Sequence, residues 1–491
     1  MTKAARIMTI LFSFLSIYVM FGSIIVNADS NRPSERAESD MNNRKENAIK
    51  GKSIQIDPSF PYYQGRSAES IADELELAGY KSVHYFITNE NNVNPQLITA
   101  LQNRGIAVWG LVLGNGTYST ERFPPEWPKW QMELLKPVND GYIRFSLFSE
   151  EYVSWKKETV ANLVKEHPFD GIEIAEPYFP EWNGISRGVY GDVGPLAKQA
   201  FKAAYGREIP DFTNEKSKNY YLSNKTLYSK WVNFRVKAVN DFLDEVINGT
   251  GGIRESRPDI LVATWSLAID AGKDSNKLLK EYQGLYAPSM VAQVKPDIHF
   301  FQTHWPDWMK LSLAPGYITH YQSFYNELKK KFPSLPIGIQ TDIGSLPLMV
   351  RSKNWLNQFS NQSIKLGYNT WTAYEYHLGG YMYSEKPVPL KAVLDKSSAK
   401  ITISFNKRID PKSTSISNTF FIEKKGRAVA LPLQEVLVDG NRVKITLKQP
   451  VASSFTLRVN KLKDTPELWW FKDYKQNESP NGARVIVQHD Q

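Results

Sequence analysis

Carboxylates that follow short apolar runs are the residues of this sequence with the clearest capacity for chemistry. In one such run, Ile172 and Ile174 alternate with Glu173, which predicts a β-strand with the isoleucines on one face and Glu173 on the other. Pro177 cannot continue a hydrogen-bonded ladder, so the strand should end before it and leave Glu176 at its carboxyl end. Parallel α/β sheets carry their chemistry at that end of the strands. We therefore predict that Glu176 lies at a reactive site.

Two carboxyl groups at such a site would suit the hydrolysis of a glycosidic bond. One protonates the leaving oxygen, and the other acts as a nucleophile or as a base for water. Glu176 is the predicted proton donor. The predicted second carboxylate is Asp342, at the end of the seventh apolar run, with Glu375, at the end of the eighth, as its rival.

Polar and aromatic residues in or just after the other apolar runs would complete a cleft for a sugar. Several polar groups at the mouth of a barrel are costly unless they are paired, hydrogen-bonded or solvated, so they indicate an ion-pair network or a polar ligand site. Aromatic faces pack well on sugar rings. The predicted substrate-binding residues are Asp57, Asn115, Glu173, Tyr178, Trp182, Trp265, Gln302, His304, Trp305, Trp371 and Tyr374.

The elements that must position these residues alternate between strand and helix. Glycines that can accept a left-handed cap follow several of the helical stretches. Eight apolar runs separated by helical patterns predict an α/β fold, a TIM (β/α)8 barrel, over residues 51–385. The long connection between the fourth and fifth runs is expected to build one wall of the cleft. The runs are 53–57, 82–88, 106–113, 170–176, 260–266, 297–303, 336–342 and 368–375.

Beyond residue 385 the pattern changes to strict alternation with period two. The alternation over residues 399–405 and 442–447 predicts two strands, and residues 439–441, Asp-Gly-Asn, are a turn signal. This predicts a small all-β sandwich over residues 386–465, followed by a C-terminal tail over 466–491. Residues 401–411, 439–447 and 455–459 resemble the immunoglobulin-like modules of S-layer and other Gram-positive surface proteins.

The run from Asp170 to Pro180 resembles the corresponding strand of the glycosyl-hydrolase-like family 10 barrels, whose motif reads roughly Asp-Gly-Ile-His-Phe-Asp-Asp-Tyr-x-Tyr-Pro. Residues 231–235 and 257–259 are similar to that family as well. In this alignment Glu176 takes the place of the second acid of the motif, and Ala175 takes the place of the first. The resemblance implies a glycoside hydrolase acting on the O-glycosyl bonds of a polysaccharide. The loss of one acid leaves open an alternative, a noncatalytic saccharide-binding or cell-surface protein.

The first fifty residues carry export signals. Lys3 and Arg6 precede an apolar run over residues 7–26 that ends near Ala28, which predicts a signal peptide over residues 1–28, with an uncleaved membrane anchor as the alternative. Residues 29–50 are polar and mixed in charge, which predicts a disordered linker. The protein is thus expected to be secreted or associated with the cell wall of a Gram-positive bacterium.

Composition limits the remaining possibilities. The chain has 491 residues, of which 42% are hydrophobic, enough for one large core and a smaller one. It has no cysteine, and its histidines show no metal-binding spacing, so no metal and no cofactor are predicted. The net charge of +9 is spread thinly, which argues against nucleic acid as a partner. The expected state is a monomer whose partner is a polysaccharide.

Overall fold

The computed structural model describes residues 32–489, except for 181, 183, 416–418, 425–426 and 452–453. The predicted signal peptide, over residues 1–28, lies outside the described residues. Among the described helices, none is both long and apolar enough to cross a membrane.

Eight parallel strands form one sheet in which each strand pairs with its neighbours in chain order. A parallel bridge between Lys52 and Trp371 brings the first strand beside the eighth, so the sheet is a near-closed barrel consistent with the predicted TIM barrel. The strands are β1 Ser53–Ile56, β2 Ser82–Ile87, β3 Ala107–Leu113, β4 Gly171–Ala175, β5 Leu261–Ala268, β6 Ile298–Thr303, β7 Ile337–Asp342 and β8 Thr370–Tyr374.

Helices connect these strands and cover the outside of the sheet. Several begin at side chains that accept a hydrogen bond from the first turn, as Ser67, Asn94, Ser149 and Ser352 do. Helices of eight or more residues are α1 Arg32–Lys50, α2 Ala68–Leu77, α3 Pro95–Gln102, α4 Glu150–Glu166, α5 Pro195–Tyr205, α6 Lys225–Asn248, α7 Ser275–Gln283, α8 Ala287–Val294, α9 Gln322–Lys331 and α10 Lys353–Lys365. Shorter helical segments are Pro61–Tyr63, Trp127–Trp130, Gly184–Arg187, Ile253–Ser256, Gly272–Asp274, Trp305–Trp308, Tyr317–Tyr321, Pro347–Met349, Tyr376–Leu378, Gly380–Ser384, Pro411–Ser415 and Pro466–Leu468.

The alternation predicted for β4 is present in the structure. Ile172 and Ile174 belong to the large buried cluster between sheet and helices. Glu173 points the other way, into the barrel, where its Oε1 lies 2.6 Å from His84 Nδ1 and its Oε2 accepts a 2.9 Å hydrogen bond from Trp265 Nε1. A carboxylate enclosed in this way is paired with protein groups, which offsets the cost of its burial.

The expected disordered linker over residues 29–50 is a helix from residue 32 onward. Helix α1 lies across the amino-terminal end of the barrel strands, where Arg44 donates to Asp170 at 3.0 Å and Lys45 donates to the Asp259 carbonyl at 2.8 Å. Ala48 is buried among the residues that fill the barrel interior, and its carbonyl accepts from Trp109 Nε1 at 3.3 Å. The polar side chains that predicted a disordered linker instead form hydrogen bonds to the barrel.

The C-terminal unit is a separate eight-stranded mixed sheet with its own buried cluster. Its strands are β9 Pro389–Leu394, β10 Lys400–Phe405, β11 Phe420–Lys424, β12 Arg427–Ala430, β13 Leu433–Asp439, β14 Arg442–Leu447, β15 Phe455–Val459 and β16 Ala483–His489, in the order β12, β11, β15, β16, β9, β10, β14, β13. Strand β16 lies between β15 and β9, so the region predicted as a tail contributes to the middle of the sheet. The immunoglobulin-like sandwich remains a prediction.

Candidate functional site

A cleft of about 270 Å³ opens beside the carboxyl ends of the barrel strands. Five residues predicted from the sequence line it: Asn115, Glu176, Tyr178, His304 and Trp305. The structure adds Tyr118, Asp140, Tyr142, Arg144, Pro180 and Gln283.

Glu176 directly follows β4, and its backbone turns out of the strand there. Its φ of 56° is a left-handed conformation that costs a residue other than glycine roughly 1–3 kcal/mol. The backbone that follows β3 comes close to Glu176 at this point, where Gly114 N donates to the Ala175 carbonyl at 2.6 Å. A β-carbon on Gly114 would lie 2.8 Å from Pro177 Cα. Only glycine at position 114 therefore fits against the turn that carries Glu176.

Asn115 holds the segment that follows Glu176. Its Oδ1 accepts from Tyr178 N at 3.1 Å, and its Nδ2 donates to the carbonyls of Tyr178 and Phe145, both at 3.2 Å. Asn115 is itself buried. It therefore lines the cleft mainly as a positioning residue.

Glu176 is half-buried as a residue, and burial of its carboxyl group raises the pKa of that group above the ordinary value for glutamate. Hydrogen bonds from Gln302 and Tyr142 and the charge of Arg144 oppose this shift in part. The Tyr142 hydroxyl lies 3.5 Å from Glu176 Oε2. The net result is a carboxyl group that keeps its proton to higher pH than a glutamate in water.

A short hairpin from the segment between β3 and α4 forms one side of the cleft. Gly116–Thr117 pairs with Ile143–Arg144, which brings Tyr142 and Arg144 next to the end of β4. Just before the second strand, Asp140 accepts two hydrogen bonds from Arg144, at 2.6 and 3.1 Å. The hydrogen bonds from Arg144 lower the pKa of Asp140, so this carboxylate is ionised under conditions in which Glu176 is still protonated.

The hairpin residues were missed from the sequence. The wall was expected from the connection between β4 and β5, of which Glu176, Tyr178 and Pro180 line the cleft among the described residues. The signal that could have found them is the length of the segment over residues 114–149, which is far longer than the usual connection between a strand and the next helix.

Three buried polar atoms of cleft residues have no hydrogen-bond partner among the described residues: Gln283 Oε1, His304 Nε2 and Trp305 Nε1. Burial lowers the pKa of His304 to about 3, so its ring is neutral at ordinary pH. Trp182, also predicted as a sugar contact, packs edge-on against the His304 ring at 5.7 Å and supports it. Buried polar atoms without partners are rare, and in a cleft they indicate where a polar ligand would bond.

Neither predicted partner carboxylate lines this cleft. Asp342 closes the turn after β7, accepting from Gly344 N and Ser345 N at 2.9 Å each and from the Ser345 hydroxyl. Glu375 is fully buried and accepts from the Tyr63 hydroxyl at 2.5 Å, from His377 N at 2.9 Å and from Asp57 N at 3.2 Å. Protein donors thus surround both carboxylates, as expected for groups with structural roles.

The remaining predicted contacts are divided between the mouth and the core. Gln302 bonds to Glu176, and Tyr374 is half-buried with its ring 6.2 Å from Phe86. Asp57 lines a separate cavity of about 210 Å³ and accepts from the Ser59 hydroxyl at 2.6 Å.

Three predicted sugar contacts are core residues instead. Glu173 and Trp265 lie below the mouth, inside the barrel. Period-two alternation predicts which face of a strand a side chain occupies, but not how far below the mouth of the barrel it lies. Trp371 lies on the outer face, with its ring 6.0 Å from Phe359 of α10.

No protein-family model and no curated protein matches this sequence. Among solved structures, it is similar to the glycoside hydrolase domain of PelA from Pseudomonas aeruginosa, with a TM-score of 0.38 and 7% identity, over 66% of this chain and 94% of that one. For Gan42B, a GH42 β-galactosidase from G. stearothermophilus, the TM-score is 0.46 and the identity 14%, over 67% and 51% of the two chains. For the endo-β-1,4-mannanase from Thermotoga petrophila the values are 0.37 and 8%, over 90% and 98%. The TM-scores and the sequence identities are low, so the chemistry of the cleft has to be inferred from its own residues.

Proposed function

We propose that this protein hydrolyses glycosidic bonds of a polysaccharide, with Glu176 as the proton donor. The observation that carries the proposal is the contrast between two carboxyl groups of one cleft. Burial raises the pKa of Glu176, whereas Arg144 lowers the pKa of Asp140. Two carboxyl groups whose environments push their pKa values apart can divide the roles of acid and base.

Asp140 takes the second role in this proposal. Among the described residues that line the cleft, it is the carboxylate that accompanies Glu176. Asp342 and Glu375 are occupied by protein hydrogen bonds, as described above. An ionised Asp140 is suited to act as a base for water or as a nucleophile.

The unpaired groups of the cleft favour a ligand with many hydroxyls. Trp305 Nε1 is a donor, Gln283 Oε1 is an acceptor, and His304 Nε2 is a donor or an acceptor, depending on the tautomer of the neutral ring. Sugar hydroxyls both donate and accept, so a saccharide can satisfy all three. Tyr118 and Tyr178 add aromatic surface to the same walls.

The alternative function is noncatalytic saccharide binding. The specific observation in its favour is that Asp140 already accepts hydrogen bonds from the two terminal guanidinium nitrogens of Arg144, which makes it a weaker base than a carboxylate free of partners. In this alternative the same cleft binds the sugar and no bond is broken. Because residues 1–28 have the features of an export signal, either activity would take place outside the cytoplasm.

The experiment compares Glu176→Gln, Asp140→Asn and the control Glu121→Gln. Glu121 is an exposed glutamate of the same loop that does not line the cleft. Release of reducing ends is measured on a panel of bacterial and plant polysaccharides, with binding measured in parallel. Glu176→Gln should lose about 10²–10⁴-fold in turnover with binding retained, and Glu121→Gln should match the wild type.

Wild-type turnover in Glu176→Gln would exclude Glu176 as the acid. Saccharide binding without hydrolysis by the wild-type protein would support the noncatalytic alternative. Full activity in Asp140→Asn would remove Asp140 from the mechanism.

A further inference from the structure

A second cavity, of about 520 Å³, lies between helices α6 and α7. We call it the lysine groove. It is lined by Ile185, Ser186, Tyr221, Leu222, Lys225, Tyr228, Ser229, Val232, Lys277, Lys280, Glu281 and Tyr282.

The charges that line the lysine groove are mainly positive. Lys225 and Lys277 accompany one acidic residue, Glu281, among the described residues that line it. Lys280 also lines the groove, but its Nζ lies 3.5 Å from the ring centroid of Tyr286, which is outside the groove. Lys277 is exposed, and its Nζ lies 3.9 Å from Glu281 Oε1, which is a loose contact for an ion pair. The excess of ammonium groups gives the cavity a positive potential that favours an anionic ligand.

One of these lysines occupies a position that does not favour helix stability. Lys225 is the first residue of α6, whose first turn contains no acidic residue. The amino-terminal end of a helix carries a partial positive charge, so a lysine there is mildly unfavourable and an anion is favoured. The amino-terminal end of α6 thus directs positive potential from backbone and side chain toward the groove. Helix α7 does not add to it in this way, because Asp274 occupies its N-cap position and its last turn lines the groove.

The rest of the groove is aromatic and apolar. Tyr221 and Tyr228 contact each other at 5.5 Å between ring centroids, and Leu222 leaves 57% of its surface exposed. Tyrosine faces and aliphatic side chains pack on the apolar faces of sugar rings. Lysines around such a surface match a sugar ring that bears a carboxylate.

The lysine groove adjoins the candidate cleft. Tyr282 lines the groove, and the next residue, Gln283, lines the cleft. Tyr282 packs edge-on against Trp182 at 5.5 Å, and Trp182 packs in the same way against His304 of the cleft. The two sites therefore adjoin each other at Tyr282 and Gln283, with the buried Trp182 ring between Tyr282 and His304.

We propose that the lysine groove is an accessory subsite that binds a uronic-acid segment of the polysaccharide whose neighbouring residues occupy the cleft. This inference rests on the proposed function for the identity of the ligand as a polysaccharide. It adds the substrate class, which is a carboxylated, anionic polymer.

The test uses the full chain in a Glu176→Gln background, so that the ligand is bound but not cleaved. Oligogalacturonate and its methyl-esterified form are titrated by calorimetry, because the two share a backbone and the ester replaces each charged carboxylate with a neutral methyl ester. Lys225→Gln combined with Lys277→Gln removes the two exposed cations of the groove. The matched control combines Lys165→Gln and Lys330→Gln, two exposed lysines that do not line the groove.

The expected result is tighter binding of oligogalacturonate than of the ester, with roughly five- to thirtyfold weaker binding in the groove variant. The control variant should bind like its parent, and added salt should reduce the difference between the two ligands. Equal binding of the two ligands, no binding of oligogalacturonate, or equal weakening in the control variant would overturn the proposal. Because binding is measured without turnover, these outcomes are independent of whether Glu176 is the catalytic acid.

Discussion

A β-carbon added at Gly116 would lie 2.0 Å from the hydroxyl oxygen of Tyr142. The Tyr142 hydroxyl occupies this space while its oxygen stays 3.5 Å from Glu176 Oε2. The hairpin between β3 and α4 therefore brings Tyr142 to the candidate acid only because residue 116 has no side chain. The position of the hydroxyl group that donates to Glu176 thus depends on a glycine on the opposite strand of the hairpin.

Gly116→Ala should displace Tyr142 and reduce turnover by about two- to tenfold, the loss expected for one hydrogen bond. The bond from Tyr142 lowers the pKa of Glu176, so its loss should raise that pKa further. A proton donor is active below its pKa. The fall in activity on the basic side should therefore move to higher pH, which a pH–rate profile measures.

Tyr142→Phe is the matched variant for this prediction, because it removes the hydroxyl and leaves Gly116 in place. Both variants should shift the basic limb in the same direction. A shift toward lower pH in either one would contradict the assignment of Tyr142 as a donor to Glu176.

Glu176→Gln should change the pH dependence of stability. The folded state raises the pKa of Glu176, so its contribution is fully present below the unfolded pKa and is lost as pH rises through the folded pKa. The glutamine variant has no such loss. Urea unfolding should show the variant gaining stability relative to the wild type as the pH rises above about 4, the pKa of an unfolded glutamate. A constant difference across that range would mean that Glu176 titrates alike in the two states.

Arg44→Ala should destabilise the barrel by about 1–3 kcal/mol, because it leaves the buried Asp170 without its ion-pair partner. Lys50→Ala is the control from the same helix, since the exposed Lys50 and Glu46 pair should contribute less than about 0.5 kcal/mol. Urea denaturation measures both. Equal effects would indicate that α1 does not stabilise the base of the barrel.

Asp342→Ala should lower the free energy of unfolding by about 1–3 kcal/mol, because Gly344 N, Ser345 N and the Ser345 hydroxyl lose their acceptor. The turnover of the protein that remains folded should stay within about twofold of the wild type. Asp140→Asn should show the reverse pattern. Loss of turnover in Asp342→Ala at full stability would restore Asp342 as the second carboxylate.

Much of the barrel could be predicted because its signals are local. The alternation of Ile172 and Ile174 with Glu173 assigned the faces of β4, and Pro177 marked its end beside Glu176. The same alternation places Trp371 on the outer face with Ala373, so grouping it with the mouth residues was wrong.

The partners of Glu176 could not be predicted in this way. Asp140 and Tyr142 are distant in sequence and lie outside the barrel strands, in a hairpin whose pairing is set by tertiary contacts. Asp342 and Glu375 met every local criterion for the second carboxylate. In the structure, protein hydrogen-bond donors surround both carboxylates, and the spacing of residues in the sequence does not predict these contacts.

The sequence by itself determined the order of the strands, the direction of their side chains and the position of Glu176 at the end of β4, because each follows from period-two alternation and from proline. Only the tertiary structure decided which groups surround that carboxyl, and hence its pKa. Burial and hydrogen bonding depend on atoms brought together from distant segments: Tyr142 from the hairpin, Gln302 from β6 and Arg144 beside Asp140. The local sequence pattern therefore predicted the position of the Glu176 carboxyl group, and contacts between distant segments determine its pKa.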